Sequence, residues 1–205
     1  MDTTERILQV ENLSKTYGKA SNKTEALRGI TFDVLKGEFL GIMGASGSGK
    51  TTLLNCIATM TTPSSGKIIL HGEELSKFHG TQLSDYRGRE IGYLFQEFEL
   101  LDNMTARENI VLPLSLHGMT EGEAEHKIQE IASKLEITDV LDKFPSQMSG
   151  GQKQRTAAAR ALISNPDLVL ADEPTGALDS RNSKTLMDKL AEFNWDLDKT
   201  IMMVT

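Results

Sequence analysis

The run Gly44-Ala45-Ser46-Gly47-Ser48-Gly49-Lys50-Thr51 constrains this chain more than any other feature. It is a full G-x-x-x-x-G-K-[ST] loop. Its glycines let backbone N–H groups converge on phosphate oxygens at the head of a helix. Lys50 is then in reach of the β- and γ-phosphates, and the Thr51 hydroxyl is a ligand for Mg²⁺. The flanks fit that reading. Residues 39–43 (FLGIM) form a continuous apolar run, the pattern of a strand buried on both faces, and residues 52–58 read as a helix stopped by the turn-rich stretch 61–66.

A second apolar run, residues 168–171, leads into Asp172 and Glu173. A carboxylate at a strand's C-terminal end can hold Mg²⁺ through water, and its neighbour is placed to polarise an attacking water. Residues 200–204 read as another buried strand, with Met202 and Met203 in the core. Between these parts, residues from about 97 to 160 read as a mainly helical insert. Within it Thr120 and Glu123 form a capping box, followed by Ala124, Ile128, Ile131 and Leu135 at helical spacing. The N-terminal third reads as strands and turns, with short strands at residues 7–10 and 30–34. Strand, helix, helical insert, strand, helix, strand is an α/β pattern with a parallel sheet.

Ser149, Gly150, Gly151 and Gln152 precede an alanine-rich helical run. Taken alone this is a helix cap after a loop, although paired glycines also leave N–H groups open to an anion. Composition bounds the rest. A chain of 205 residues, 39% hydrophobic and 25% charged, is long enough for one domain with a subdomain. A formal net charge of -7 argues against a broad basic nucleic-acid surface. The single Cys56 cannot form an internal disulfide and reads as a small buried core residue in a reducing compartment. The polar start at residues 1–5 is unlike a secretory signal, and no stretch approaches the roughly 18 apolar residues of a membrane span.

The ordered set of P-loop, Gln96, Ser149-Gly150-Gly151-Gln152, residues 168–173 and Ala177-Leu178-Asp179 resembles the nucleotide-binding domain of ATP-binding cassette (ABC) proteins. The resemblance runs from Tyr17 to Thr205. It implies a P-loop NTPase (RecA-like) α/β core with an N-terminal antiparallel β subdomain and an inserted α-helical subdomain. The core would take about residues 1–96 and 161–205, and the helical subdomain about 97–160. It also implies a head-to-tail homodimer with two ATP molecules in the interface. Gly44, Ala45, Ser46, Gly47, Ser48, Gly49, Lys50, Thr51 and Thr52 of one subunit would hold the phosphates against Ser149, Gly150, Gly151 and Gln152 of the other. Mg²⁺ falls to Thr51, Gln96 and Asp172, and catalysis to Glu173 with Lys50 and Gln96. Tyr17 matches the residue that stacks on adenine, although a lone tyrosine at a strand end is also ordinary packing. Asp179 matches the aspartate that crosses the dimer interface.

Two departures stand out. Met148 replaces the family's usual leucine, a change expected to preserve packing. The family's γ-phosphate histidine follows the strand that ends here at Thr205, so the chain reads as truncated and its turnover is expected to be impaired. His71, His79, His117 and His126 read as ordinary surface histidines. Among ABC ATPases, a short insert, one cysteine and one cassette fit a transporter subunit better than chromosome, excision-repair or translation proteins. Residues 92–101 and 108–114, with 171–180, resemble the macrolide-exporter and lipoprotein-release group, above all its bacitracin-type branch. That implies ATP hydrolysis on the inner face of the cell membrane, driving a separate permease, often beside a sensor kinase, in peptide export or resistance. No nucleic-acid partner is expected; the alternative is a soluble ABC ATPase acting on nucleic acid or ribosomes. Phe98, Leu100, Leu101 and Met104 read either as a groove for a permease helix or as an interior patch of the insert.

Overall fold

The computed structural model describes residues 5–19, 22–115 and 119–205. Residues 1–4 and His117 lie outside them. Two four-stranded sheets carry the fold. The first is antiparallel, in the order β2 (Thr24–Leu35), β1 (Arg6–Tyr17), β4 (Ser65–Leu70), β5 (Glu73–Glu74). The second is parallel, in the order β3 (Phe39–Ile42), β8 (Thr200–Val204), β7 (Leu168–Asp172), β6 (Ile91–Leu94). Six α-helices are described: α1 (Lys50–Ile57), α2 (Thr81–Glu90), α3 (Ala106–Ser115), α4 (Glu121–Lys134), α5 (Gly150–Leu162) and α6 (Ser180–Leu197). This is the expected α/β architecture, a parallel core joined to an antiparallel sheet, with α3, α4 and α5 between β6 and β7.

The parallel sheet is apolar on both faces because each face meets a different core. On β7, Leu168 and Leu170 pack with Leu8, Leu54, Tyr86 and Met202, between the two sheets. Val169 and Ala171 point the other way and pack with Ile110, Leu162, Leu186 and Leu190 under the helices. Alternate residues of a strand face opposite sides, so a strand covered twice must be apolar throughout. Cys56 is buried as expected, and burial raises its thiol pKa.

Three local readings need correction. β3 is not buried on both faces. It is the edge of its sheet, bonded to β8, with partly exposed residues, and Met43 beyond its end is 82% exposed. The strand β6, the hairpin β4–β5 and the helix α2 were absent from the expected element order. The helix α2 carries Gln82, Asp85, Arg87, Arg89 and Glu90, and of its residues only Tyr86 is fully buried, so it shows little apolar periodicity. Tyr86 anchors it by donating to the Leu70 carbonyl at 3.0 Å and stacking on Phe78. The P-loop helix starts at Lys50 rather than at residue 52.

The helices after β6 are held by side-chain bonds as well as by apolar contact. At the start of α4, the Thr120 N–H and hydroxyl both donate to the Glu123 carboxylate, at 3.3 and 2.6 Å. Arg107 of α3 places two bonds of 2.6 Å on Glu125 of α4. Asn109 is fully buried. Its oxygen accepts from Leu101 N–H at 2.8 Å, and its amide nitrogen lies 3.1, 3.1 and 3.0 Å from the carbonyls of Leu101, Met104 and Thr105. One side chain thus supplies the polar partners of a whole loop. The Leu101 and Thr105 carbonyls also accept from the Met104 and Asn109 N–H groups. Removing the side chain therefore takes the partner from the Leu101 N–H and the Met104 carbonyl, and a buried unsatisfied group costs about 1–3 kcal/mol. Asn109→Ala is therefore expected to lower stability in urea denaturation by about 2–3 kcal/mol.

Candidate functional site

Parallel strands end together, so the loops after β3, β6 and β7 gather at one edge of the sheet. The loop after β3 crosses to α1 with its backbone open. Gly44 through Ser48 are exposed, while Lys50 is buried. Gly47 and Gly49 hold φ at 78° and 97°. At Gly49 a Cβ would lie 2.3 Å from the Ala26 carbonyl oxygen of β2, so no larger residue fits there without displacing backbone. The loop is tied down by Gly44 N–H to the Thr205 carbonyl at 3.3 Å and Ser48 N–H to the Ala45 carbonyl at 3.2 Å. The first intrahelical bond of α1 runs from Leu53 N–H to the Gly49 carbonyl at 2.8 Å. The N–H groups of Lys50, Thr51 and Thr52 are the helix's free leading donors, all at one positive helix end.

Lys50 folds back over this loop, its ammonium donating to the Gly44 and Ala45 carbonyls at 2.7 and 3.1 Å. The Glu173 carboxylate stands 3.8 Å from it. Glu173 sits in the left-handed region at φ 42°, with its N–H bonded to the Val204 carbonyl at 3.0 Å. A glutamate held in that conformation is strained, and such strain gathers at functional sites. It puts the carboxylate beside the ammonium, above the sheet edge.

The Thr51 hydroxyl donates to Asp172 at 3.1 Å. Desolvation raises the Asp172 pKa, opposed by its bond from Thr51 and then by Tyr93. Tyr93, on β6, donates to Asn55 at 3.0 Å and approaches the second Asp172 oxygen at 3.5 Å. Burial drives the Tyr93 hydroxyl pKa well up, so it stays a donor. Tyr93 and Asn55 were not among the expected site residues. A tyrosine inside an all-buried strand three residues before Gln96 was the signal available, because its hydroxyl must find a partner.

Gln96 is exposed on the loop after β6, and its amide packs against Gly176, where a Cβ would meet it at 3.3 Å. Gln154 of α5 ties the same loops together. It is fully buried and donates to the Pro174 carbonyl at 2.7 Å and the Phe95 carbonyl at 3.4 Å. The loops carrying Gln96 and Glu173 are thereby fastened to the helix that begins at Gly150.

That helix begins with a reciprocal cap. Ser149 N–H donates to the Gln152 side chain at 2.9 Å, and Gln152 N–H to the Ser149 hydroxyl at 3.3 Å. Gly151 is buried against α6, where a Cβ would fall 2.0 Å from the Asn182 side-chain oxygen. Asn182 in turn donates to both Asp179 oxygens at 2.8 Å, which holds the Asp179 pKa low. Ser149, Gly151 and Asp179 therefore form a second group. Among the described residues, no hydrogen bond or ion pair joins Ser149–Gln152 to Gly44–Thr52. Met148 is buried, with the Thr156 hydroxyl on its sulfur, so the substitution for leucine is accommodated.

Tyr17 ends β1 at 42% exposure, with the Lys15 ammonium 4.9 Å from its ring centre. Phe98 and Leu100 are partly buried against the helical core, while Leu101 is 42% exposed. Of the described histidines, His79 and His126 are exposed as expected. His71 is not an ordinary surface histidine: its ring is half-buried and its Nε2 is shut off from solvent between two carboxylates.

Thr51 and Asp172 together offer an all-oxygen donor set, the kind a hard divalent ion takes. Without such an ion, burial of the Asp172 carboxylate works against the fold. A raised carboxylate pKa means that the folded state favours the neutral form, so stability falls as pH rises above the ordinary carboxylate range. Asp172→Asn is expected to raise the melting temperature of the nucleotide-free protein at neutral pH, with the gain vanishing below the ordinary carboxylate pKa. Thermal unfolding across pH checks this.

The ABC transporter family profile matches residues 27–176. The chain is 47% identical over 199 residues to the bacitracin export ATP-binding protein BceA of Halalkalibacterium halodurans, covering 97% of this chain and 79% of that protein. It is 39% identical over 199 residues to the macrolide export ATP-binding/permease protein MacB of Brucella melitensis, covering 97% of this chain and 31% of that larger protein. The dimeric structure of MJ0796, described as a bacterial ABC transporter cassette, aligns with a TM-score of 0.89 at 37% identity, over 97% of this chain and 87% of that one. A post-hydrolysis state of the same cassette, bound to ADP and Pi, aligns with the same TM-score of 0.89. The chain therefore belongs to the ABC transporter family, as one of its ATP-binding, ATP-hydrolysing cassettes.

Proposed function

We propose that this cassette powers a separate membrane permease in antimicrobial-peptide export or resistance, from the inner face of the cell membrane. The relatives named for bacitracin and macrolide export support that reading over a soluble ABC ATPase working on nucleic acid or ribosomes. No helix among the described residues is long and apolar enough to cross a membrane. A sensor kinase would be reached through that permease. Residues 97–160 form the subdomain facing it, although α5 runs across the 160/161 border and welds subdomain to core.

The observation that carries the proposal is the division of the site into two groups. Lys50, Thr51, Asp172 and Glu173 gather around the head of α1, with Gln96 against Gly176 of the loop that follows Glu173, while Ser149, Gly151 and Asp179 gather at the heads of α5 and α6. The head of α1 in one group and the head of α5 in the other offer helix N-termini to anions, and two copies placed head to tail would close both on shared ATP. In that arrangement Lys50 and the α1 donors take the phosphates, Ser149 and Gly151 close over them from the second copy, and Tyr17 stacks on the base. Thr51, Asp172 and Gln96 would hold Mg²⁺, which neutralises phosphate charge when bound. Glu173 polarises the attacking water.

Two substitutions separate these roles. Lys50→Ala is expected to abolish ATP binding, read with a fluorescent nucleotide, because the buried ammonium is the loop's own counter-charge. Glu173→Gln is expected to keep binding and slow hydrolysis by roughly a thousandfold, a loss of ~4 kcal/mol in the transition state. A Glu173→Gln protein that turns over at the parent rate would remove Glu173 from the mechanism.

A further inference from the structure

We infer that His71, Glu90 and Asp167 form a binding site for a transition-metal cation of the Zn²⁺ class, separate from the nucleotide site. His71 Nε2 lies 3.5 Å from Glu90 Oε2 and 3.6 Å from Asp167 Oδ2. All three ligand atoms fall within 4.8 Å of one another. Ligands around tetrahedral zinc, bonded at about 2.0–2.1 Å, lie roughly 3.3–3.4 Å apart along each edge. The two spacings from His71 need to close by a few tenths of an ångström, and the two carboxylate oxygens, within 4.8 Å of each other, by up to about 1.4 Å, which a turn of the partly exposed Glu90 and Asp167 side chains can supply. The two spacings from His71 are also at or beyond the limit of a hydrogen bond.

The second observation is the state of His71 Nε2. The ring is about a quarter exposed, yet this nitrogen is buried and has no hydrogen-bond partner. A buried polar atom without a partner is costly, and it faces two carboxylate oxygens from separate elements. The Asp167 carboxylate is oriented from behind. Lys199 stands 3.6 Å from its other oxygen and is itself fixed to the Asn165 carbonyl at 3.2 Å, leaving Oδ2 turned to the histidine. One imidazole with two carboxylates suits Zn²⁺ over Mg²⁺ or Ca²⁺, which take oxygen donors alone. With three protein ligands the fourth position would take water.

The three residues come from three places in the fold. His71 is the first residue of the two-residue turn between β4 and β5, with φ at 51° there and 76° at Gly72. Glu90 ends α2, and Asp167 immediately precedes β7. Asp172 lies at the other end of β7, about 16 Å away along a strand rising 3.3 Å per residue. The cation would therefore not be that of the nucleotide site. It would clasp the antiparallel sheet to the leading ends of β6 and β7, and its effect would be on the union of the two sheets.

The test is calorimetric titration of metal-stripped, nucleotide-free protein with Zn²⁺, with thermal unfolding alongside. One Zn²⁺ per chain is expected, with a higher melting temperature. His71→Asn keeps a residue that tolerates the left-handed turn and should weaken binding by at least about tenfold, as should Glu90→Gln. His79→Asn with His126→Asn should leave it unchanged. X-ray absorption at the zinc edge of the parent protein, which needs no variant to fold, should show nitrogen and oxygen donors. Absence of Zn²⁺ binding, a sulfur donor, or equal affinity in the parent and His71→Asn would overturn the site. So would a His71→Asn protein that loses stability equally with and without Zn²⁺, which would make the cluster an electrostatic clasp.

Discussion

A buried ammonium governs the geometry of this protein's phosphate loop. Lys50 is 8% exposed, and its charge is met by two backbone carbonyls and a carboxylate 3.8 Å away. Burying a charge is expensive unless it is paired and hydrogen-bonded. The loop can satisfy it only by curling around it, which is why Gly47 and Gly49 must take positive φ and why Gly49 must press on β2. The same curl turns the leading N–H groups of α1 outward. An anion arriving there meets a helix N-terminus and a cation already stripped of water. The strained Glu173 follows from the same constraint, because it supplies the only carboxylate ion-paired with Lys50 among the described residues.

The sheet edge places these groups, and the helices couple them. β3, β7 and β8 end in register, so Gly44 bonds to Thr205 and Glu173 to Val204 across neighbouring strands. A shift of any of these strands would move both the loop and the carboxylate. From the other side, Gln154 fixes the Pro174 and Phe95 carbonyls, and Arg160 of the same helix donates to the Phe98 carbonyl at 2.9 Å and to the Glu99 carbonyl. The backbone it holds there is left-handed at both Phe98 and Glu99. The helix that begins with Ser149 and Gly150 thus grips the segment carrying Gln96. Rotation of that helix would be felt at both groups of the site.

Much of this was legible in the sequence because it rests on short-range patterns. The P-loop, the capping box at Thr120 and the apolar run before Asp172 each carry their own physical signature over a few residues. What was hidden depends on distant partners. The helix α2 buries one residue fully, Tyr86, so its pattern reads as polar. β3 looked like a central strand because its residues are apolar, yet apolarity does not say which strand lies beside it. Tyr93, Asn55 and Gln154 matter through hydrogen bonds to residues 20 to 79 positions away, which no local spacing encodes. His71 read as a surface residue because a lone histidine carries no sign of the two carboxylates that folding brings to it.

The central claim is that one chain holds two unlike halves of a nucleotide site, completed by a second copy. Sedimentation of Glu173→Gln protein with ATP, alone and combined with Ser149→Arg, tests it most directly. The account predicts an ATP-dependent dimer for Glu173→Gln and a monomer that still binds ATP when Ser149 is also replaced. ATP-bound Glu173→Gln protein that sediments only as a monomer would contradict it, as would dimerisation indifferent to Ser149.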